Sequence, residues 1–278
     1  MANEFIDAHH HLWRYQPEEY PWIGGGMEVL RRDCLTAELE EVTRAAGVTG
    51  TIAVQARQSI QETEWLSGLA ARSDLIRGVV GWAPLASPDV ARELERLANL
   101  PKLKGMRHVL HDEPNSHYML RDDFNRGIAL LGTYGLRYDL LIFENQLPQT
   151  IVFVDRHPNQ LFIVDHIAKP RIRDRARSPW GETLEQLALR PNVYCKVSGM
   201  VTEAKWDCWT KEELMPYFET VFEAFTPRRT MFGSDWPVST LASTYGAWIE
   251  TVRHAIRDFS NDEQERVLGG TAVEAYDL

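Results

Sequence analysis

Eight short apolar runs, most of them rich in Val and Ile, recur along the chain with helical segments between them. This alternation constrains the fold more than any other feature of the sequence. The runs are Glu4–Ala8, Gly50–Gln55, Ile76–Trp82, Leu103–Arg107, Arg137–Ile142, Leu161–Asp165, Val193–Val197 and Thr230–Gly233. Between them, apolar residues fall at helical spacings of three and four. Leu39, Val42 and Ala46 precede a stop at Gly47, and Phe124, Ile128 and Leu131 repeat the pattern. Leu147, Ile151 and Val154 end before Pro158. Ser87-Pro88 reads as an N-cap and first helical position ahead of Val90, Leu94 and Leu97. Thr210 with Glu213 has the capping-box pattern ahead of Leu214, Phe218, Val221 and Phe225, with a kink expected at Pro216. Tyr245, Trp248, Val252 and Ile256 follow, and Ser260 with Glu263 caps a last helix.

Strands that alternate with helices make a parallel sheet, and eight such units in 278 residues fit a (β/α)8 TIM-like barrel. No Pro/Ser/Gly linker breaks the alternation, so the expectation is a single domain over residues 1–278. An open doubly wound sheet is the rival. It would want a glycine-rich phosphate loop after the first strand, whereas Gly24-Gly25-Gly26 follows a loop and reads as a flexible turn.

Composition narrows the partners. The 30 Lys and Arg against 40 Asp and Glu give a net charge of −10, which argues against a nucleic-acid or anionic-membrane surface. No uncharged apolar run approaches the ~18–20 residues needed to span a bilayer. The start, MANEFIDAHHHLW, lacks the basic and apolar regions of a secretory signal. Cys34, Cys195 and Cys208 cannot all pair within one chain and read as packed small hydrophobes, so a reduced, cytoplasmic setting is expected. Whether the chain is a monomer or a homo-oligomer is left open.

Barrel chemistry sits at the C-terminal strand ends. The first strand ends in Asp7-Ala8-His9-His10-His11. Period-two alternation puts Asp7, His9 and His11 on one face and Ala8 and His10 on the other. His9 and His11 then converge as a His-x-His metal pair requires, while His10 points into the wall. The fourth strand ends at Met106-Arg107-His108 and the sixth at Asp165-His166, with Lys169 just beyond. The seventh carries Lys196 and Ser198, and the eighth runs into Gly233-Ser234-Asp235-Trp236-Pro237. Alone, Asp235 would be a good helix N-cap. Beside two or three histidines it can ligate a metal, act as a general base, or do both.

FIDAHHHLW, VDHIAKP, YCKVSG and MFGSDWP, with the ending from Glu265 to Tyr276, resemble the amidohydrolase superfamily over nearly the whole chain. The branch they resemble most holds sugar-lactone and pyrone-dicarboxylate lactonases. The resemblance implies that His9, His11, His166 and Asp235 form the metal set and that Asp235 is the catalytic aspartate. Binuclear members carry a bridging lysine or carboxylate on a middle strand and a histidine on strand five. Here strand five reads Arg137-Tyr138-Asp139-Leu140-Leu141-Ile142, and Lys104 sits at the far end of strand four. The expectation is therefore either no required cofactor or one divalent ion, zinc by preference.

The implied reaction is the opening of a small-molecule sugar lactone, such as that of a deoxy sugar like fucose or rhamnose. Asp235 takes the proton of the attacking water, and His9, His11, His166 and Arg107 polarise the carbonyl. Trp13, Tyr15 and Trp22 of the long first loop offer faces for a sugar ring, while Gln55, Arg57, His108 and Lys196 offer polar contacts. A pyrone-dicarboxylate lactonase, a metal-dependent decarboxylase and a non-catalytic carbohydrate-binding barrel are the alternatives. Two carboxylates would want several arginines, and only Arg57 and Arg107 lie near strand ends, which favours a neutral lactone. His111, His117, His157 and His254 read as surface or helix residues.

Overall fold

The computed structural model describes residues 4–278. Its eight strands are β1 Ile6–His10, β2 Gly50–Val54, β3 Ile76–Gly81, β4 Leu103–Val109, β5 Arg137–Leu141, β6 Phe162–Val164, β7 Val193–Val197 and β8 Thr230–Phe232. They pair in sequence order and all in parallel. A bridge between His10 and Trp236 brings the ends of the sheet together. The expected (β/α)8 barrel is thus the observed architecture. Strand bounds differ from those expected by at most two residues. The largest consequence is at β1, which extends through His9 and His10.

The outer layer is α1 Thr36–Ala46, α2 Ile60–Ala70, α3 Val90–Leu97, α4 Asp122–Leu131, α5 Leu147–Asp155, α6 Trp180–Ala188, the short α7 Met200–Glu203, α8 Lys211–Phe225 and α9 Tyr245–Ala255. Leu39 and Thr43 of α1 and Val90, Leu94 and Leu97 of α3 are the buried stripes that hold those helices to the sheet. Gly47 ends α1 with φ 73, a left-handed C-cap. Two details differ from expectation. The cap position of α3 is Asp89, because Ser87 and Pro88 form a turn in which Ser87 Oγ accepts from Asp89 N at 3.2 Å. α8 runs unbroken through Pro216, its start fixed by the Thr210–Glu213 box.

Ile6, Ala8, Ile52, Val54, Val80, Ile163 and Met231 form an apolar cluster inside the barrel. Ala272, Ala275 and Tyr276 of the last helix join it and plug the N-terminal end. That helix, α11 Thr271–Tyr276, follows α10 Asn261–Glu265 and one π turn. The floor is closed, so any site must open at the other end, where the strands finish.

Candidate active site

The first strand does not alternate strictly. Asp7 pairs with Thr51 but His10 pairs with Ala53, so β1 carries one extra residue between the two pairs. This bulge shifts the phase. Asp7 faces outward, where its Oδ2 accepts from Ser234 Oγ at 2.6 Å and from Tyr245 OH at 2.9 Å. The expectation that Asp7 shares a face with His9 is therefore corrected. His9 and His11 face inward, and His10 lies in the wall with Nε2 3.0 Å from Thr51 Oγ1. Asp7 also accepts from Ser234 N at 2.7 Å, tying β1 to the segment after β8. Asp235 N donates to His9 O and His11 N to Trp236 O, both at 2.7 Å. These bonds deliver Asp235, at φ 57, opposite the histidine pair.

His166 arrives by a different device. After β6, His166, Ile167, Ala168 and Lys169 all take positive φ, between 48 and 61. Four consecutive left-handed non-glycine residues are costly and mark a position imposed by the surroundings. His166 Nδ1 lies 2.9 Å from Ser198 Oγ. Gly199 (φ 60) packs so closely that a Cβ there would stand 2.5 Å from His166 Nδ1. A Cβ at Gly233 would stand 2.8 Å from that of His9.

The three rings converge on Asp235. Its Oδ1 lies 3.4 Å from His11 Nε2, 3.8 Å from His9 Nε2 and 3.9 Å from His166 Nε2, and the two strand-one Nε2 atoms are 3.2 Å apart. His11 Nδ1 faces Val54 O at 2.8 Å and must donate to it, so its Nε2 presents a lone pair. His9 Nδ1 faces Asp165 Oδ1 at 3.2 Å and does the same. Lone pairs and a carboxylate facing one another suit a cation. Edges of a tetrahedral zinc site are about 3.4 Å, and outer ring nitrogens held by carbonyl, carboxylate or hydroxyl are what such ligands carry. His9, His11 and Asp235 lie close enough together to hold one divalent ion, with His166 Nε2 3.9 Å from Asp235 Oδ1. Two combinations of donors lie close enough, His9–His11–Asp235 and His9–Asp165–His166, and both need His9.

Electrostatics follow from burial and neighbours. Burial pushes the Asp235 carboxyl up, but His166 and His11 outweigh it and hold it below its usual range. Burial lowers His9 and His166 well below an ordinary histidine. Burial opposes the charge of Asp165, yet Lys196, His9 and Arg107 hold its carboxyl far below the usual range.

Above this cluster opens a cavity of about 770 Å³. Of the residues expected to work here, His11, Trp22, Arg57, Arg107, His166 and Asp235 line it. His9 lies fully buried just beneath. The others face elsewhere. Trp13 is a core residue whose indole donates to Arg32 O, and Tyr15 stacks on Tyr20. Gln55 is buried and donates to Arg107 O. His108 is enclosed by Trp82, Glu113 and Tyr118. Lys196 is fully buried among Asp139, Asp165 and His9. The cavity also takes residues the sequence reading set aside. His111 lines it, stacked on Phe143 at 4.6 Å, instead of lying on the surface. Lys169 and Glu203 pair at 2.7 Å in its wall. Met27, Trp206, Val238 and Leu241 give it an apolar side. Cys208 is exposed, unlike Cys34 and Cys195.

Comparison with known proteins gives the family. The family model described as Amidohydrolase matches residues 6–278. The chain belongs to the amidohydrolase family. It is 41% identical over 286 residues to an L-fucono-1,5-lactonase of Burkholderia multivorans, covering 98% of this chain and 96% of that protein. A second L-fucono-1,5-lactonase, from Burkholderia ambifaria, is 32% identical, with 98% and 94% covered. A crystal structure of a Burkholderia multivorans amidohydrolase with bound zinc superposes with a TM-score of 0.95 at 40% identity, covering 99% of each chain.

Proposed function

We propose that this protein hydrolyses a neutral sugar lactone, with L-fucono-1,5-lactone the first candidate, and that Asp235 is the general base. The observation that carries the choice of a neutral substrate is charge compensation in the cavity wall. Arg57 pairs with Glu19 at 2.6 Å, Lys169 with Glu203 at 2.7 Å and Arg107 with Asp165 at 3.0 Å. Among the described lining residues every Arg and Lys already has a carboxylate partner. A dicarboxylate substrate would have to displace them.

In this reading Asp235, ionised at neutral pH, accepts the proton of a water that attacks the lactone carbonyl. Arg107 stands at the cavity floor, its guanidinium 3.4 Å from His9 Nε2, and stabilises charge developing on the carbonyl oxygen. The acyl–oxygen bond breaks, and Asp235 returns the proton to the departing ring oxygen, which becomes a hydroxyl. Ser198 is buried against His166 and is not presented as a nucleophile. That supports direct water attack without an acyl-enzyme. The apolar side formed by Met27, Trp206, Val238 and Leu241, with Trp22, suits the carbon faces of a sugar ring. When bound by His9, His11, His166 and Asp235, zinc would supply Lewis acidity toward the carbonyl and acidify a nearby water.

The test is acid release from a lactone panel. The expected kcat/KM on L-fucono-1,5-lactone exceeds that on 2-pyrone-4,6-dicarboxylate by at least about tenfold, the order that leaving paired charges undisturbed would give. A higher value on the dicarboxylate than on every sugar lactone contradicts the proposal.

A further inference from the structure

Beneath the cavity lies a chain of buried polar groups that the reaction above does not use. Tyr276 OH, from α11 at the closed end of the barrel, donates to Asp139, with Oδ2 at 2.7 Å and Oδ1 at 2.9 Å. Asp139 Oδ2 accepts from Lys196 Nζ at 2.5 Å. Lys196 Nζ reaches on to Asp165 Oδ1 at 3.0 Å and stands 3.4 Å from His9 Nδ1, which donates to Asp165 Oδ1 at 3.2 Å. Its other oxygen accepts from Arg107 Nη1 at 3.0 Å. Lys196, Asp139 and Asp165 are completely shielded from solvent. The Tyr276 ring sits 5.3 Å below the ammonium group.

We infer that Lys196 is a positioning residue for His9, acting through Asp165 and itself held by Asp139 and Tyr276. The argument is one of occupancy and aim. Asp165 has two oxygens, and Lys196 and Arg107 claim one each, which fixes the plane of the carboxylate. A fixed carboxylate holds the His9 proton on Nδ1 and turns Nε2 toward His11 and Asp235. Two buried carboxylates also need a cation between them, and Lys196 is the group that touches both. Its amine has no opening to the cavity, so substrate contact does not explain its presence. The last helix of the chain thereby sets the ring orientation of a residue near its beginning.

This inference rests on His9 belonging to a working site, and its test has readouts that do not need turnover. Three variants serve. Lys196→Met removes the ammonium. Lys196→Met with Asp139→Asn removes both charges and keeps an acceptor for Tyr276, which protects the fold if the single change does not. Tyr276→Phe keeps the ring and deletes only the hydroxyl. In the metal-free protein, ¹⁵N spectra of histidine should give a single Nδ1–H tautomer for His9. Both Lys196 variants should give a mixture of tautomers. Zinc affinity, measured by competition with a chelating dye, should weaken about 10–100-fold in both. Turnover should lose kcat with KM little changed, and Tyr276→Phe should move all three readouts the same way by less. A raised KM at unchanged kcat would make Lys196 a substrate contact and overturn the inference. So would a lower melting temperature with wild-type tautomer, zinc affinity and kcat, which is packing alone. If the wild-type chain opens no lactone, the proposed function fails, while the tautomer and zinc measurements still decide the role of Lys196.

Discussion

His166 is held in a costly position. It begins a run of four left-handed residues and presses against Gly199, itself at φ 60. Gly199→Ala places a Cβ 2.5 Å from the ring nitrogen, so the ring must move. The expected outcome is a loss of roughly 1–3 kcal/mol in stability, from strain and overpacking, together with at least about tenfold lower kcat/KM. Urea unfolding and steady-state kinetics check it, and wild-type values for both would show that the site tolerates a displaced His166. The conjunction of His9, His11, His166 and Asp235 was legible in the sequence because each sits at a strand end and in a motif that resembles a known family. The bulge in β1 was not legible, since no glycine or proline marks it. It is set by how Asp7 meets Ser234 and Tyr245 more than 200 residues away.

Helix α2 illustrates what an element hides. Its buried face includes Glu62, Thr63 and Ser67, which read as polar and blur the helical stripe. Each is matched by tertiary structure instead. Thr63 Oγ1 donates to Trp82 O at 3.0 Å, and Ser67 Oγ donates to Pro101 O. Glu62 Oε2 accepts from the backbone of Ala56 and Arg57 at the cavity edge, at 3.0 and 2.9 Å. By contrast Phe124, Ile128 and Leu131 of α4 form a stripe that spacing alone reveals. The aromatics of the first loop misled for the same reason that α2 hid. Residue type does not say whether a ring faces a cavity, as Trp22 does, or the core, as Trp13 does. Burial pushes the Glu62 carboxyl up to about 7, against 4.5 for an ordinary glutamate, even though those two backbone donors pull it down. Folded protein thus binds an extra proton between about pH 4.5 and 7. Stability from this group is full below that window and falls as pH rises through it, by roughly 3 kcal/mol in all. Glu62→Gln should flatten that slope in urea midpoints measured from pH 4.5 to 8. An unchanged slope would remove Glu62 as its source.

At the scale of the whole molecule, a barrel floor sealed by Tyr276, Ala272 and Ala275 leaves the strand-end cavity as the way in to the histidines. Length and alternation made the barrel readable, because eight strand–helix units of this size close in one way. The cavity wall was harder, since Lys169, Glu203, His111 and Phe143 come from separate segments and meet only in three dimensions. Both donor combinations share His9, so metal analysis of the protein after zinc exposure should find no more than one ion per chain. Two ions per chain would require a second site that these residues do not offer. The central claim is that Asp235 is the base for opening a neutral sugar lactone at this site. Acid release compared between wild type and Asp235→Asn tests it most directly, because asparagine keeps the shape and cannot take the proton. The account predicts a folded variant slowed about 10²–10⁴-fold. A variant that keeps more than about a tenth of the wild-type rate would contradict it, since even a modest general base contributes more than that.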